Sequence, residues 1–344
     1  MNNIPTDTLN ERLFNNSSSD SNYGLAHGKI GIIIYLYELW NYTNEENYKI
    51  HAEYLLDSLL ENDFSMDNTE LSIEDGMCGI LLGVDYIISK GYVEGDINTL
   101  SKEVDDLLFK LITFEKPESK YTTSQIILFL YYIHKRLKSQ TENNERFLLK
   151  ELAIKLINKL DILIDSSFFE EYYTFSIYKY HVPILMKCLF YLIQYDFYSE
   201  KIRKIIERIT LNLFAHRPHL HINRLYLLWS VLPYLSYSPT WEKYIFNLKE
   251  SIDLDIIFEK EIKGKNIYIS NGYAFLYILL ENLMQNYPEY AIPFNPRLIY
   301  DNIISSEAWE SLIKNEYYYN IHKGLYNGFP GTLLVLLDIK KKYL

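Results

Sequence analysis

The most regular feature of the chain is an alternation between two kinds of apolar segment, both of helical length. In one kind, apolar residues recur at three- and four-residue steps with charges between them, as in 107–112 and 147–157, which is typical of an amphipathic helix with one solvated face. In the other kind, as in 126–133 and 189–193, nearly every side is apolar, and such a helix has to be buried by neighbours on both flanks. The pattern therefore predicts outer helices alternating with buried inner ones.

The inner helices open out of short polar or glycine-bearing turns. The motif Gly-x-x-Gly precedes three of them, at 28–31, 76–79 and 328–331, and a reduced copy lies at 271–276. A residue without a Cβ at the start of a buried helix lets two backbones approach closely. The seven inner helices are predicted to begin near Gly28, Gly76, Tyr121, His181, Asn223, Gly272 and Gly328.

The spacing of these openings predicts the architecture. Successive openings lie between 42 residues apart (His181 to Asn223) and 60 residues apart (Tyr121 to His181). A helical hairpin takes about 40 to 50 residues, so seven hairpins account for one domain over 1–344, in which 1–21 forms an N-terminal arm and the start of the first hairpin. An open solenoid needs polar caps, whereas the last hairpin carries a fully apolar helix. The prediction is an all-α fold, a closed α/α toroid of seven inner and seven outer helices.

Composition and charge exclude several classes of protein. The 344 residues carry a formal net charge of -11 without a basic stripe, which argues against a nucleic-acid partner. The first residues lack the basic and apolar regions of a signal peptide, and no run reaches the roughly 18 apolar residues of a membrane span, so we expect a cytoplasmic protein. The two cysteines, Cys78 and Cys188, are too few for a disulfide framework and do not by themselves make a zinc site.

Segments at both ends of the chain resemble a known family. Leu-Ala-His-Gly-Lys-Ile-Gly at 25–31, the segment 75–96 that opens Asp-Gly-Met-Cys-Gly, and Gly-Leu-Tyr-Asn-Gly-Phe-Pro-Gly in 324–334 look like the first, second and last repeats of the lanthionine synthetase C-like proteins. The resemblance is faint over 121–241. It implies an α/α toroid of seven inner and seven outer helices, which agrees with the seven inner helices above. It also implies a role in the maturation of ribosomally made peptides, in which typical members add a cysteine thiol to a dehydrated serine or threonine and so close thioether rings.

The resemblance also implies a zinc ion, held in the family by two cysteines and a histidine, which binds the thiol and favours its thiolate form. The Cys-His-Gly of the family's sixth repeat is matched here by Ser270, Asn271 and Gly272, and no cysteine follows Cys188 to supply the ligand expected near 220–223. Hydroxyl and amide oxygens lack the charge and softness of thiolate and the donor strength of imidazole. We therefore expect a divergent member that has lost the zinc site and binds no cofactor.

Histidines are the next candidates for chemistry. His181 opens the fourth inner helix, the repeat in which the family carries its proton-transfer histidine, so His181 is a candidate catalytic residue; a capping or packing role is the alternative. His219 and His221 have the His-x-His spacing of a metal chelate in an extended segment, with a solvent-exposed turn as the alternative. His27 matches the His-Gly of the first repeat, where the residue shapes the turn.

The turns before the inner helices supply candidate substrate-binding residues, because the unpaired N–H groups of helix N-termini carry partial positive charge. Glu74 and Asp75 could share acid and base roles there, as in glycosidases built on α/α barrels, but Asp75 is also well placed as the N-cap of its helix. The candidates in these turns are His27, Asp75, Ser270, Asn271 and Asn327.

Three classes of function stay open on the sequence. The first is a peptide cyclase with a noncanonical site. The second is a metal-free, non-catalytic scaffold that binds a precursor peptide and presents it to a peptide-modifying enzyme, which the abundant tyrosines suit because they offer rigid contact area with a polar tip. The third is a carbohydrate- or isoprenoid-acting α/α barrel, for which we find neither a well-formed acidic pair nor an Asp-rich motif. The expected partner is a peptide substrate or precursor peptide.

Overall fold

The computed structural model describes residues 5–16, 22–61, 71–114 and 121–344, so part of the predicted N-terminal arm lies outside the described residues. All regular structure within those ranges is helical. The helices are α1 (Pro5–Asn16), α2 (Lys29–Thr43), α3 (Glu46–Glu61), α4 (Met77–Ser89), α5 (Ile97–Thr113), α6 (Thr123–Ser139), α7 (Asn143–Leu163), α8 (Val182–Ile193), α9 (Ser199–Ala215), α10 (His221–Val231), α11 (Pro239–Glu250), α12 (Leu254–Ile256), α13 (Tyr273–Asn286), α14 (Pro296–Ile304), α15 (Glu307–Lys314), α16 (Glu316–Ile321) and α17 (Phe329–Tyr343).

The chain divides into two compact units. The first comprises 1–100, 263–278 and 293–344, and the second comprises 101–262 and 279–292, so two of the four divisions fall within α5 and α13. The first unit holds the inner helices α2, α4 and α17 and the start of α13. In the second unit, α8 contacts α6, α9 and α10. Within the described ranges no helix combines the length and the apolar character needed to cross a bilayer.

The predicted starts of the inner helices are confirmed, by two different kinds of N-cap. Gly28, Gly76 and Gly328 are the N-caps of α2, α4 and α17, each in an extended conformation and without a side-chain cap. The helix α6 begins without glycine, because the hydroxyl of Thr122 accepts from the backbone N–H of Gln125 and the Gln125 side chain accepts from the backbone N–H of Thr122. This capping box satisfies two of the free N–H groups at the start of α6.

The turns before four inner helices of the first unit are joined into one hydrogen-bonded row. We call the turns at 268–272, 322–328, 22–28 and 72–76 the turn row. The helix α2 packs against both α4 and α17, so the first and last repeats are neighbours, as the predicted closed arrangement requires. Along the row, a backbone N–H of one turn donates to a backbone carbonyl oxygen of the next. Ser270 donates to Tyr326 (2.9 Å), Leu325 donates to Leu25 (3.1 Å) and Ala26 donates to Glu74 (2.7 Å).

The outer segment between α13 and α17 differs from a simple helical hairpin, because it is broken into the short helices α14, α15 and α16. The side chain of Asn295 accepts a backbone N–H at the start of α14, that of Ser306 does so for α15, and that of Asn315 does so for α16. Each polar side chain satisfies free N–H groups and so stabilises a new helix start. These local caps divide the segment into three short helices, where the repeat pattern would suggest one continuous outer helix.

Candidate functional site

Three side chains of the turn row meet in what we call the His27 site. His27, Asp75 and Asn327 each directly precede the N-cap glycine of an inner helix. The Nδ1 atom of His27 lies 2.7 Å from Oδ2 of Asp75, and the Nε2 atom of His27 lies 2.6 Å from Nδ2 of Asn327. The backbone N–H of His27 also donates to Oδ1 of Asp75, at 3.1 Å. The same position of three repeats therefore supplies an imidazole, a carboxylate and an amide to one site.

The position of Asp75 corrects one expectation from the sequence. Asp75 is not the N-cap of α4, because Gly76 takes that position and no side chain caps the helix. The carboxylate binds the neighbouring turn instead, and Gly24 permits this approach, since a Cβ on Gly24 would lie 2.5 Å from Oδ1 of Asp75. A shift of the cap by one residue frees Asp75 to bind His27.

The charges of His27 and Asp75 stabilise each other. The hydrogen bond to Asp75 is the largest influence on His27 and raises the pKa of the imidazole, against the opposing effect of burial. Burial acts to raise the pKa of Asp75, but the hydrogen bonds and charge of His27 outweigh it and leave that pKa below its usual value. Because the two side chains are 41% and 33% exposed, we expect the ion pair to stabilise the fold by no more than about 1 kcal/mol.

These pKa directions define the pH range of the pair. The contribution of His27 to stability is complete below the ordinary histidine pKa of about 6.5 and is lost as the pH rises through the raised pKa of the folded state. The contribution of Asp75 is present above about pH 3.9 and is lost as the pH falls through its lowered pKa. Both groups are therefore charged in weak acid, and His27 becomes a neutral base above its own pKa.

The amide of Asn327 is coupled to the protonation state of His27. In the neutral ring, Nδ1–H donates to Asp75 and the lone pair of Nε2 accepts from the amide of Asn327. In the protonated ring both nitrogens are donors, so Asn327 has to turn its carbonyl oxygen toward Nε2. The site can therefore hold a proton on either nitrogen of His27 and orient the ring in both states.

Replacing Asp75 by asparagine is expected to lower the pKa of His27 toward the ordinary value of about 6.5, because the variant loses the negative charge and the hydrogen bond that raise it. The measurement is the titration of the histidine ring signals by NMR, with His27→Gln identifying the signal among the eight histidines. Asp301→Asn removes the same charge from an exposed pair with Arg297 and should leave the His27 titration unchanged. An unchanged His27 pKa in Asp75→Asn would contradict the role assigned to Asp75.

Ser270 and Asn271 occupy the corresponding turn before α13. Ser270 is buried and its backbone N–H belongs to the turn row, while Asn271 directly precedes Gly272. The Oδ1 atom of Asn271 is buried and has no hydrogen-bond partner among the described residues. A hydroxyl and an amide oxygen do not form the soft, charged donor set that zinc prefers, so this turn does not fit the metal of the family.

His181 lies in the second unit, whereas the three residues of the His27 site belong to the first unit. It is the N-cap of α8, where its backbone carbonyl accepts from Leu185 and its side chain does not cap. Burial lowers the pKa of His181, partly offset by a hydrogen bond with the backbone of Tyr178. His181 is half-buried, and because its pKa is lowered the ring is neutral near pH 7. Its catalytic role stays a prediction.

The histidine segment before α10 is arranged around carboxylates. Glu171 accepts from the backbone N–H groups of His219 and Leu220, and Glu261 accepts from the backbone N–H of His221 at 2.7 Å. The Nδ1 atom of His221 accepts from the backbone N–H of Asp253 at 2.9 Å, and its Nε2 atom lies 3.3 Å from Nη1 of Arg224, so both ring nitrogens face hydrogen-bond donors. Neither nitrogen of His221 is then free for a cation, and within the described residues no three groups of the usual ligand types form a metal site.

A cavity of about 250 Å³ lies beside this segment in the second unit. Its lining combines tyrosine and histidine side chains and one arginine with two glutamates and several apolar side chains, and Tyr173 is 96% exposed. The lining residues used below include Tyr172, Tyr173 and Arg217. The surface is rich in aromatic side chains and carries both acidic and basic groups.

Comparison with known proteins places the fold. No sequence model of a protein family matches the chain, and no curated protein matches its sequence. Among solved structures, nisin cyclase is similar, with a TM-score of 0.62 and 14% identity, covering 99% of this chain and 95% of that chain. At this identity the likeness concerns the fold alone. Together with the all-helical structure of the described residues it confirms the predicted fold class, an all-α fold of the α/α toroid type that nisin cyclase shares.

Proposed function

We propose that this chain is a lanthionine synthetase C-like protein that matures ribosomally made peptides without zinc, by adding a cysteine thiol to a dehydrated serine or threonine. The observation that carries the proposal is the His27 site, in which Asp75 and Asn327 orient a half-exposed imidazole at the starts of three inner helices. The name of nisin cyclase, whose fold the chain shares, supports a peptide as the substrate.

The chemistry assigned to His27 is proton transfer in both directions. When the amide of Asn327 turns away from Nε2, neutral His27 takes the proton of the thiol at that atom, and the thiolate adds to the Cβ of the dehydrated residue. The electron pair of the double bond moves toward the carbonyl as an enolate, and the protonated ring returns its proton to Cα. One S–H bond and one carbon–carbon π bond are replaced by one S–C and one C–H bond. Asp75 stabilises the imidazolium that exists between the two steps.

The test uses a synthetic peptide with one cysteine and one dehydrobutyrine. Cyclisation does not change the mass, so the remaining free thiol is alkylated and counted by mass spectrometry. We expect cyclisation above the uncatalysed rate, unchanged after treatment with a chelator, and a zinc content far below one ion per chain in protein purified without chelator. Stoichiometric zinc would refute the metal-free part of the proposal.

A second candidate function is a non-catalytic scaffold that binds a precursor peptide for a modifying enzyme. The cavity lined by Tyr172, Tyr173 and Arg217 favours it, because exposed tyrosines and an arginine are common anchors of peptide contacts. Binding of the test peptide without rate enhancement would support this scaffold over the cyclase. Failure of both binding and cyclisation would contradict both functions. Glu74 and Asp75 lend no support to a glycosidase, since the carboxylate of Asp75 is bound to His27.

A further inference from the structure

A buried hydroxyl of the second unit reaches open space without a hydrogen-bond partner. It belongs to Tyr180, which lies shortly before α8, is only 5% exposed and lines the cavity of about 250 Å³. Within the described residues no group hydrogen-bonds to this hydroxyl, and it is not sealed from solvent as the unpartnered hydroxyl of Tyr37 is. Burial of a hydroxyl without a hydrogen bond is costly. The cavity therefore presents an unused hydrogen-bonding group in its least exposed wall.

The two segments that form the cavity are held against each other, so the space is preformed. The carboxylate of Glu171 accepts from the backbone N–H of Leu220 and from the amide of Asn223, each at 3.0 Å. The guanidinium of Arg224 donates to the backbone carbonyl oxygen of Pro218 at 2.7 Å. Pockets that take drug-sized ligands have about 300 to 1,000 Å³, so the smaller space here suits a ligand with a single ring.

The lining residues differ in exposure, and this difference orients a ligand. Tyr180 is almost fully buried, whereas Tyr172 and Tyr173 are 58% and 96% exposed. Glu170 and Arg217 also line the cavity and are exposed, and within the described residues neither forms an ion pair. The tyrosine rings favour a flat ring between them, and the buried hydroxyl favours a polar atom at the inner end of that ring. The two opposite charges favour an ammonium and a carboxylate at the outer end.

We propose that this cavity binds a tyrosine-like ligand, whose phenol hydroxyl pairs with that of Tyr180 and whose ammonium and carboxylate meet Glu170 and Arg217. Burial raises the pKa of Tyr180, and the neighbouring Tyr244 and Glu171 raise it further, so its hydroxyl keeps its proton at pH 7 and both donates and accepts. A phenol occurs in free tyrosine and in a tyrosine residue of a peptide. Only the free amino acid carries both charges, so we expect it to be the better ligand.

The experiment titrates the full-length wild-type chain with L-tyrosine and with L-phenylalanine and measures both dissociation constants by NMR. We expect L-tyrosine to bind about tenfold more tightly, because only its hydroxyl satisfies that of Tyr180. Tyr180→Phe keeps the ring and should bring the ratio of the two constants to about one. Tyr237→Phe, at a 40% exposed residue outside the cavity lining, should keep the tenfold preference. Equal affinities in the wild type, no binding of either amino acid, or a preference that survives in Tyr180→Phe would overturn the proposal.

Further arms identify the source of the phenol and separate this site from the His27 site. N-Acetyl-L-tyrosinamide represents a tyrosine inside a peptide and should bind about fivefold more weakly than L-tyrosine, the combined contribution of two exposed ion pairs. Arg217→Gln should weaken L-tyrosine alone. Tighter binding of the blocked form would support recognition of the phenol and assign it to a peptide. His27→Asn should bind L-tyrosine like the wild type, so the inference stands or fails apart from the cyclisation chemistry. The wild-type preference for tyrosine decides the outcome if Tyr180→Phe fails to fold.

Discussion

Replacing Gly324 by alanine is expected to destabilise the protein by about 3 kcal/mol, at the upper end of the usual cost of inserting a methyl group into a packed region. A Cβ at this position would lie 1.8 Å from the carbonyl oxygen of Ala26 and 2.3 Å from the Cα of His27. Both obstacles are backbone atoms, so no side-chain rotation can relieve the contact. The two turns have to separate, which breaks the hydrogen bond between Leu325 and Leu25. The measurement is urea unfolding followed by far-UV circular dichroism.

Gly264 provides the matched control. A Cβ there would meet no atom within 4 Å, and its backbone is not in the left-handed region, so Gly264→Ala should change the unfolding free energy by no more than about 0.5 kcal/mol, or stabilise slightly. Equal stabilities of Gly324→Ala and Gly264→Ala would show that the turn row can separate freely. The Gly324 variant should also lose the His27–Asn327 contact, visible as an altered His27 titration.

The helix starts that sequence predicts well are those with a local cause. Gly28, Gly76 and Gly328 could be recognised because each stands between a turn and an apolar run, and the structure has each as an N-cap. The broken helices α14 to α16 were harder to anticipate, because side chains such as Ser306 act as caps only where the chain geometry places a free N–H beside them. The hydrophobic pattern thus predicts the buried helices better than the solvated ones.

The candidate site was predictable in its members but not in its contacts. His27, Asp75 and Asn327 each stand directly before a helix glycine in the sequence, yet His27 and Asp75 are 48 residues apart and nothing local indicates that they bind each other. Their contact depends on the turn row, in which neighbouring backbones approach closely enough to exclude a Cβ at Gly24. The one indication in the sequence is that all three residues occupy the same position of their repeats, directly before the N-cap glycine. The roles of Ser270 and Asn271 in substrate binding stay predictions.

The largest functional effect is expected for His27→Asn, which should slow cyclisation of the test peptide by about 10² to 10⁴, the usual contribution of a general acid–base group. Asparagine keeps a polar side chain of moderate size but cannot take and return a proton at neutral pH. The cyclisation rate of the wild type should rise with pH through the raised pKa of His27, since the neutral ring is the base. His51→Asn, at a half-exposed histidine of α3 outside both the His27 site and the cavity, is the matched control and should retain the wild-type rate.

Asp75→Asn distinguishes proton transfer by His27 from a structural role of the turn. Without the carboxylate the pKa of His27 falls, so the rise of rate with pH should move to lower pH while the maximal rate decreases, because the imidazolium formed during the reaction is less stabilised. A merely structural Asp75 would lower the rate without moving the pH profile. His181→Asn completes the set: loss of rate in that variant together with a normal rate in His27→Asn would transfer the proton-transfer role to His181. The pKa of His27 is raised above the ordinary histidine value and that of His181 is lowered below it. The pH dependence of the wild-type rate therefore also shows which of the two histidines transfers the proton.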